Sequence, residues 1–183
     1  MIKTGFNFLV PICLILLIGL TTNYGQTGGV RASQKASVSQ RIATTDVTVD
    51  YSRPSSKGRV LFGPDGIIKF GAIWMPGANE ASFIKLTGDV YINDQLLRAG
   101  SYSIWTIPGK DEWTIILSRD WEQWHTQYPG EDEDAARFTV KPGSGSHTEM
   151  LTFYFPNVTS DSALLNLHWG TTIISLSMRL DKK

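Results

Sequence analysis

Asp46-Val-Thr-Val-Asp-Tyr-Ser52 alternates Val47, Val49 and Tyr51 with acidic or hydroxylic side chains. A period of two places the three apolar side chains on one face of an extended segment, the pattern of a half-buried strand. The alternation returns along the chain. Trp113, Ile115 and Leu117 share a face, Phe138 and Val140 follow, and Leu151, Phe153 and Phe155 repeat it. Near the end Ile174, Leu176, Met178 and Leu180 alternate with Ser175, Ser177 and Arg179. Turn-forming residues separate the runs: Asn93-Asp94, Ala99-Gly100 and Pro108-Gly-Lys-Asp111. The stretch from Ser82 to Ser118 therefore predicts an antiparallel meander. Only Asp120 to Tyr128 and Glu131 to Ala136 are candidates for helix, each a turn or two. The expected fold is all-β: an antiparallel β-sandwich, jelly-roll-like or a flattened barrel.

The first residues differ from the rest. Lys3 precedes an uncharged apolar stretch from Phe6 to Leu20, followed by Thr21, Thr22 and Asn23. This reads as a signal peptide over residues 1–25, too short for the ~20 apolar residues of a membrane span. Export to the periplasm or medium follows. The only cysteine, Cys13, lies mid-run behind Val10-Pro-Ile12, away from where a lipidated cysteine would stand. It would leave with the leader, and the mature chain would hold neither disulfide nor thiolate metal site. Residues 26–34, rich in Gly, Thr, Ser and Gln, predict a flexible arm. Residues 35–183 predict a single domain. No later segment is long and apolar enough to span a bilayer. With 17 basic and 17 acidic residues among 183, and no basic run, nucleic acid is a poor partner.

Several blocks occur together in order: Arg31-Ala-Ser-Gln-Lys-Ala-Ser-Val-Ser-Gln40, Thr44-Thr-Asp-Val-Thr-Val-Asp-Tyr-Ser-Arg-Pro54 and Lys57-Gly-Arg-Val-Leu-Phe-Gly63. Gly77-Ala-Asn-Glu-Ala81, Ala99-Gly-Ser-Tyr-Ser103 and Thr106-Ile-Pro-Gly-Lys-Asp-Glu-Trp-Thr-Ile-Ile116 follow. Over nearly the whole mature chain these resemble the DUF2911 family of exported bacterial proteins. The resemblance implies export and one domain, but no activity, cofactor or catalytic residue. Where the family tends to show Trp-Gly ahead of a tyrosine, this chain has Trp124-His-Thr-Gln-Tyr128.

Trp74-Met-Pro-Gly-Ala-Asn-Glu-Ala81 has a Pro76-Gly77 turn that presents Asn79 and Glu80 side by side. The pair suits sugar hydroxyls, or Glu80 could serve as a general acid or base. Equally, both could brace the turn, Glu80 pairing with an arginine such as Arg53. Arg53, Lys57 and Arg59 surround a Pro/Ser/Gly loop that would suit an anionic ligand, or would be a solvated loop with Arg53 tied to an acid. Trp121, Trp124, His125 and Tyr128 fall within one short segment, a composition for stacking on a sugar face or for plugging the end of a sandwich. The histidines His125, His147 and His168 show no metal-ligand spacing, and His168, beside Asn166 on the polar side of its strand, reads as a surface residue. Gly143-Ser-Gly-Ser-His147 reads as a flexible hairpin loop. No nucleophile elbow or phosphate-cradling loop is present, and no metal or cofactor is expected.

The leading expectation is a noncatalytic envelope module binding a small molecule, glycan or protein. The rivals are a hydrolase using Glu80 with Asp46 or Asp50, and a structural or assembly protein of the periplasm.

Overall fold

The computed structural model describes residues 29–181. The expected leader, with Cys13, lies outside the described residues, as do residues 26–28 of the expected arm. The compact unit begins at Arg31, and residues 29 and 30 belong to a separate preceding unit.

Ten strands follow in order: β1 (Gln34–Ile42), β2 (Thr45–Arg53), β3 (Phe83–Leu86), β4 (Val90–Ile92), β5 (Gln95–Leu97), β6 (Gly100–Ile107), β7 (Trp113–Ser118), β8 (Asp134–Val140), β9 (Gly143–Val158) and β10 (Ser162–Arg179). One antiparallel sheet has the order β1-β2-β3-β6-β7-β8, and the other β5-β4-β10-β9. The two pack face to face as an open sandwich, not a closed barrel. No helix among the described residues is long and apolar enough to cross a membrane.

The alternation at Val47, Val49 and Tyr51 and at Trp113, Ile115 and Leu117 points those side chains into the core between the sheets. Leu151 and Phe153 of β9, and Leu165, Leu167 and Trp169 of β10, meet them from the opposite side. Burying each such large apolar side chain contributes about 1.5–3 kcal/mol. At one end Phe62, Trp74, Trp113 and Trp169 form an aromatic plug, with Trp74 and Trp169 stacked at 6.0 Å.

Four expectations need correction. The meander from Ser82 to Ser118 is interrupted: β3, β6 and β7 are neighbours, whereas the β4-β5 hairpin crosses to the second sheet. The turn between β4 and β5 is as expected, with Asn93 and Asp94 both at positive φ, 43° and 65°. Asp120 to Tyr128 is not helical, and the only helical turn among the described residues is a 3-10 turn at Glu131–Glu133. Gly143 to His147 is no loop but the start of β9, where a Cβ on Gly145 would lie 2.6 Å from Ile173 Cδ1. The small residue there packs against the end of the Ile173 side chain.

His168 is the fourth. It is 9% exposed and Asn166 is 6% exposed, so neither is a surface residue. The cause is the shape of β10. Eighteen residues of straight strand would span roughly 60 Å. Yet Leu180 N donates to Asp161 O at 2.9 Å, and Ser175 Oγ donates to Asn166 Oδ1 at 2.8 Å. β10 therefore doubles back on itself, and Gly170, at φ +59°, stands where the two arms meet. The polar side of the first arm is covered by its neighbours: Asn166 Nδ2 donates to the Tyr154 hydroxyl, and His168 Nδ1 contacts Thr148 Oγ1.

Candidate functional site

The outer face of the six-stranded sheet is not left to solvent. Trp105 of β6 and Ile116 of β7 point outward, yet are 1% and 0% exposed. The 74–81 and 120–130 segments fold over them and form a small second core with Met75, Ala81 and Tyr128. Consecutive residues of β6 and β7 are therefore buried on both faces of the sheet.

The two segments singled out in the sequence meet each other. Ala81 N donates to Gln123 O at 2.8 Å, and Glu80 and Trp124 form an antiparallel bridge. His125 N donates to Asn79 O at 3.0 Å, and His125 Nδ1 lies 2.7 Å from the same oxygen. Pro76-Gly77 turns the chain toward this contact, and Ser82 Oγ holds the turn by donating to Pro76 O at 2.7 Å. Asn79 sits at φ +66°, and its Nδ2 donates to Ser33 O. Trp121 packs on Phe83 with ring centroids 4.7 Å apart. The Tyr128 hydroxyl donates to Asp134 Oδ1 and accepts from Arg137 Nη2. Burial and the neighbouring Asp134 push its pKa up to about 12.

Glu80 is held by Arg31, from the segment read as an arm, and faces Lys35 at the start of the expected domain. Arg31 Nη1 donates to both of its carboxylate oxygens, and Lys35 Nζ lies 4.0 Å away. The Arg31 hydrogen bond, with help from Glu80's own backbone, keeps the Glu80 carboxyl below the usual carboxylate range. The Arg31 guanidinium also lies 6.0 Å from the Trp124 ring centroid. Beside this latch an open cleft of about 400 Å³ crosses β1, β2 and β3, lined in part by Lys35, Ser37, Asp50, Ser52, Glu80 and Phe83. Glu80 and Asp50 thus face one cleft. Asp46 is elsewhere, paired through both carboxylate oxygens with Arg41 at 2.7 Å.

Trp74 and Arg53 stand apart from this cleft. Trp74 is part of the aromatic plug. Arg53 is tied to no acid among the described residues: it donates to Leu151 O at 3.1 Å and Thr152 Oγ1 at 2.6 Å. The Pro/Ser/Gly loop nevertheless receives an anion, the chain's own Glu149. Its carboxylate accepts from the Ser55 and Ser56 hydroxyls and from Lys57 N at 2.8 Å, with His147 Nε2 at 3.2 Å. These donors, the serine hydroxyls first, hold its pKa down to about 2.

Glu149, Arg31 and the buried His168 were not marked by any local motif. Strict alternation would set Glu149 on the inward face with Leu151, two positions on, whereas Glu149 is exposed. Among the described residues no three His, Cys, Asp or Glu side chains gather as a metal site. No curated protein and no solved structure matches the chain. A family model described as a protein of unknown function, DUF2911, matches residues 33–178. That match spans most of the chain, which therefore belongs to the DUF2911 family.

Proposed function

We propose that this is an exported, noncatalytic binding module whose ligand enters the cleft over β1, β2 and β3. The observation that carries the reading is the cleft itself, where Lys35, Asp50, Ser37 and Ser52 offer charge and hydroxyls beside the Phe83 ring. That mixture suits a hydroxylated small molecule or glycan, with an aromatic wall for an apolar ring face and carboxylates for hydroxyl donors. The leader read over residues 1–25 supports a role in the cell envelope.

The rival hydrolase reading draws support from Glu80 and Asp50 lining one cleft. Against it, a carboxyl that Arg31 keeps ionised is a poor proton donor. Titration of ¹⁵N-labelled protein with a panel of sugars and cell-wall fragments tests the proposal. Binding tighter than millimolar, with shifts centred on Ser37, Asp50 and Phe83, supports it. Silence across the panel counts against it. Turnover of a chromogenic glycoside or ester, lost in Glu80→Gln, would replace it with the hydrolase.

A further inference from the structure

The free edges of the two sheets are not alike. β5 is only three residues long. At β8 the Arg137 carbonyl accepts from Gln95 Nε2 at 2.9 Å, and the ladder to β7 slips at Leu117/Ser118. β9 is covered by the 53–56 segment: Ser56 N donates to Glu149 O, Leu151 N to Pro54 O, and Arg53 Nε to Leu151 O. Shortness, irregular register and cover are the devices by which proteins blunt sheet edges. β1 has none of these three, and the blunting feature it does carry is charge, at Lys35 and Arg41. Its nine residues contain no proline and pair with β2 in one unbroken register from Gln34↔Arg53 to Ile42↔Thr45.

The contacts of β2 decide which backbone groups of β1 face outward. Asp46 N donates to Thr87 Oγ1 at 2.8 Å, and Thr87 N donates to Asp46 O at 3.1 Å. Both backbone groups of Asp46 therefore point away from β1, and its partner Arg41 belongs to a non-hydrogen-bonded pair. Such pairs alternate along an antiparallel ladder. Lys35, Ser37, Ser39 and Arg41 thus aim their N–H and C=O groups at the open edge. The 2.8 Å contact between Ser39 Oγ and Thr48 Oγ1 agrees, because side chains approach more closely across non-hydrogen-bonded pairs. Among the described residues the one contact to this outward row is Gln40 Nε2 on Arg41 O.

We propose that β1 is a strand-addition site for an extended acidic segment of a different protein. Main-chain hydrogen bonds to the outward row would supply affinity, and the side chains flanking it would choose the partner. Lys35 and Arg41 stand six positions apart on the outer face, with side chains 75% and 67% exposed. Two copies of this chain paired antiparallel in full overlap would set Lys35 opposite Arg41 twice, and like charges directly opposite are destabilising. A strand with carboxylates at those two places meets the opposite situation. Arg41 already holds Asp46 and Lys35 lies near Glu80, but a guanidinium and an ammonium each keep donors for a second carboxylate. Between them Ala36, Ser37 and Ser39 are small and leave the backbone within reach.

The test uses the ¹⁵N-labelled chain and the capped peptide Thr-Glu-Val-Thr-Val-Thr-Val-Glu-Thr, whose glutamates fall opposite Arg41 and Lys35 in the antiparallel register. In the free chain the amides of Ser37 and Ser39 should exchange with solvent quickly while those of Ala36 and Val38 are protected. Millimolar peptide should slow the exchange of Ser37 and Ser39. Ser37→Pro removes an outward N–H and none from the β2 ladder. It should leave the unfolding midpoint unchanged and weaken peptide binding about tenfold, the value of one hydrogen bond. If Ser37→Pro fails to fold, the exchange pattern in the unaltered chain still decides. Protection of these amides without peptide, whether by a second copy or by the chain's own residues, overturns the proposal. So does the absence of protection at millimolar peptide, or equal protection by a peptide with lysines in place of the glutamates.

Discussion

Arg31 Nη1 lies 2.6 Å from both Oε1 and Oε2 of Glu80, joining the start of the domain to the loop that walls the cleft. The two side chains are 46% and 44% exposed, so water screens the pair. Exposed ion pairs contribute about 0–1 kcal/mol, and Glu80→Gln is expected to cost less than about 1 kcal/mol at pH 7. Because Arg31 lowers the Glu80 pKa on folding, that contribution is complete above the unfolded-state value of about 4.3. It is lost as pH falls through the lower folded value. Urea unfolding of both proteins at pH 7 and pH 3 measures it. A cost above about 2 kcal/mol would mark Glu80 as a brace of the fold and remove it from the ligand site.

Glu149 should dominate the acid response of the 53–59 loop. Its folded pKa of about 2 lies below the unfolded value of about 4.3, so stability tied to it is present above that value and falls away toward pH 2. Glu149→Ala should flatten the decline of the thermal midpoint across this window. It should also raise exchange at the Lys57 amide, which now donates to the carboxylate at 2.8 Å. An unchanged acid profile would show that Ser55, Ser56 and Lys57 hold the loop without it.

These two carboxylates also show where sequence reading runs out. Alternation at Val47, Val49 and Tyr51 is a local signal, and it correctly identified β2 and its buried face. The turn at Asn93-Asp94 was equally legible, but turn chemistry does not say which sheet a hairpin joins. The 74–81 and 121–128 segments each drew notice for composition, and their meeting through Glu80 and Trp124 is a tertiary fact. Arg31 reaches Glu80 across 49 positions and Ser55 reaches Glu149 across 94, separations at which neither spacing nor turn chemistry constrains a pair. His168 was misplaced because its cover comes from Thr148 and Tyr154 of β9, residues whose approach no local pattern announces.

Gly170 is expected to reject a β-branched side chain. Its φ is +59°, and a Cβ built on it would lie 2.8 Å from Leu61 Cδ1. Gly170→Val combines a disfavoured backbone region with a clash against a buried leucine, a loss of about 1–3 kcal/mol or more. Equilibrium urea unfolding checks it. A cost within about 0.5 kcal/mol, the ordinary range for surface changes, would mean that the two arms of β10 do not turn tightly at this residue.

Asn166 and His168 share one interior polar strip but differ in how well they are satisfied, and this difference should be measurable. Asn166 accepts from Ser175 Oγ at 2.8 Å and donates to the Tyr154 hydroxyl at 3.1 Å. Asn166→Leu leaves both partners without it, and should cost about 1–3 kcal/mol. His168 Nδ1 meets Thr148 Oγ1 at 3.2 Å, but its buried Nε2 makes no hydrogen bond among the described residues. A buried polar atom without a partner lowers stability, so an apolar side chain of similar size removes that cost along with one weak contact. His168→Leu is therefore expected to change the unfolding free energy by less than about 1 kcal/mol, or to raise it. Parallel urea titrations of the two variants decide the matter. If His168→Leu proves the more damaging, its ring nitrogen engages something essential to the fold, and β10 is held together through the histidine and not through Asn166.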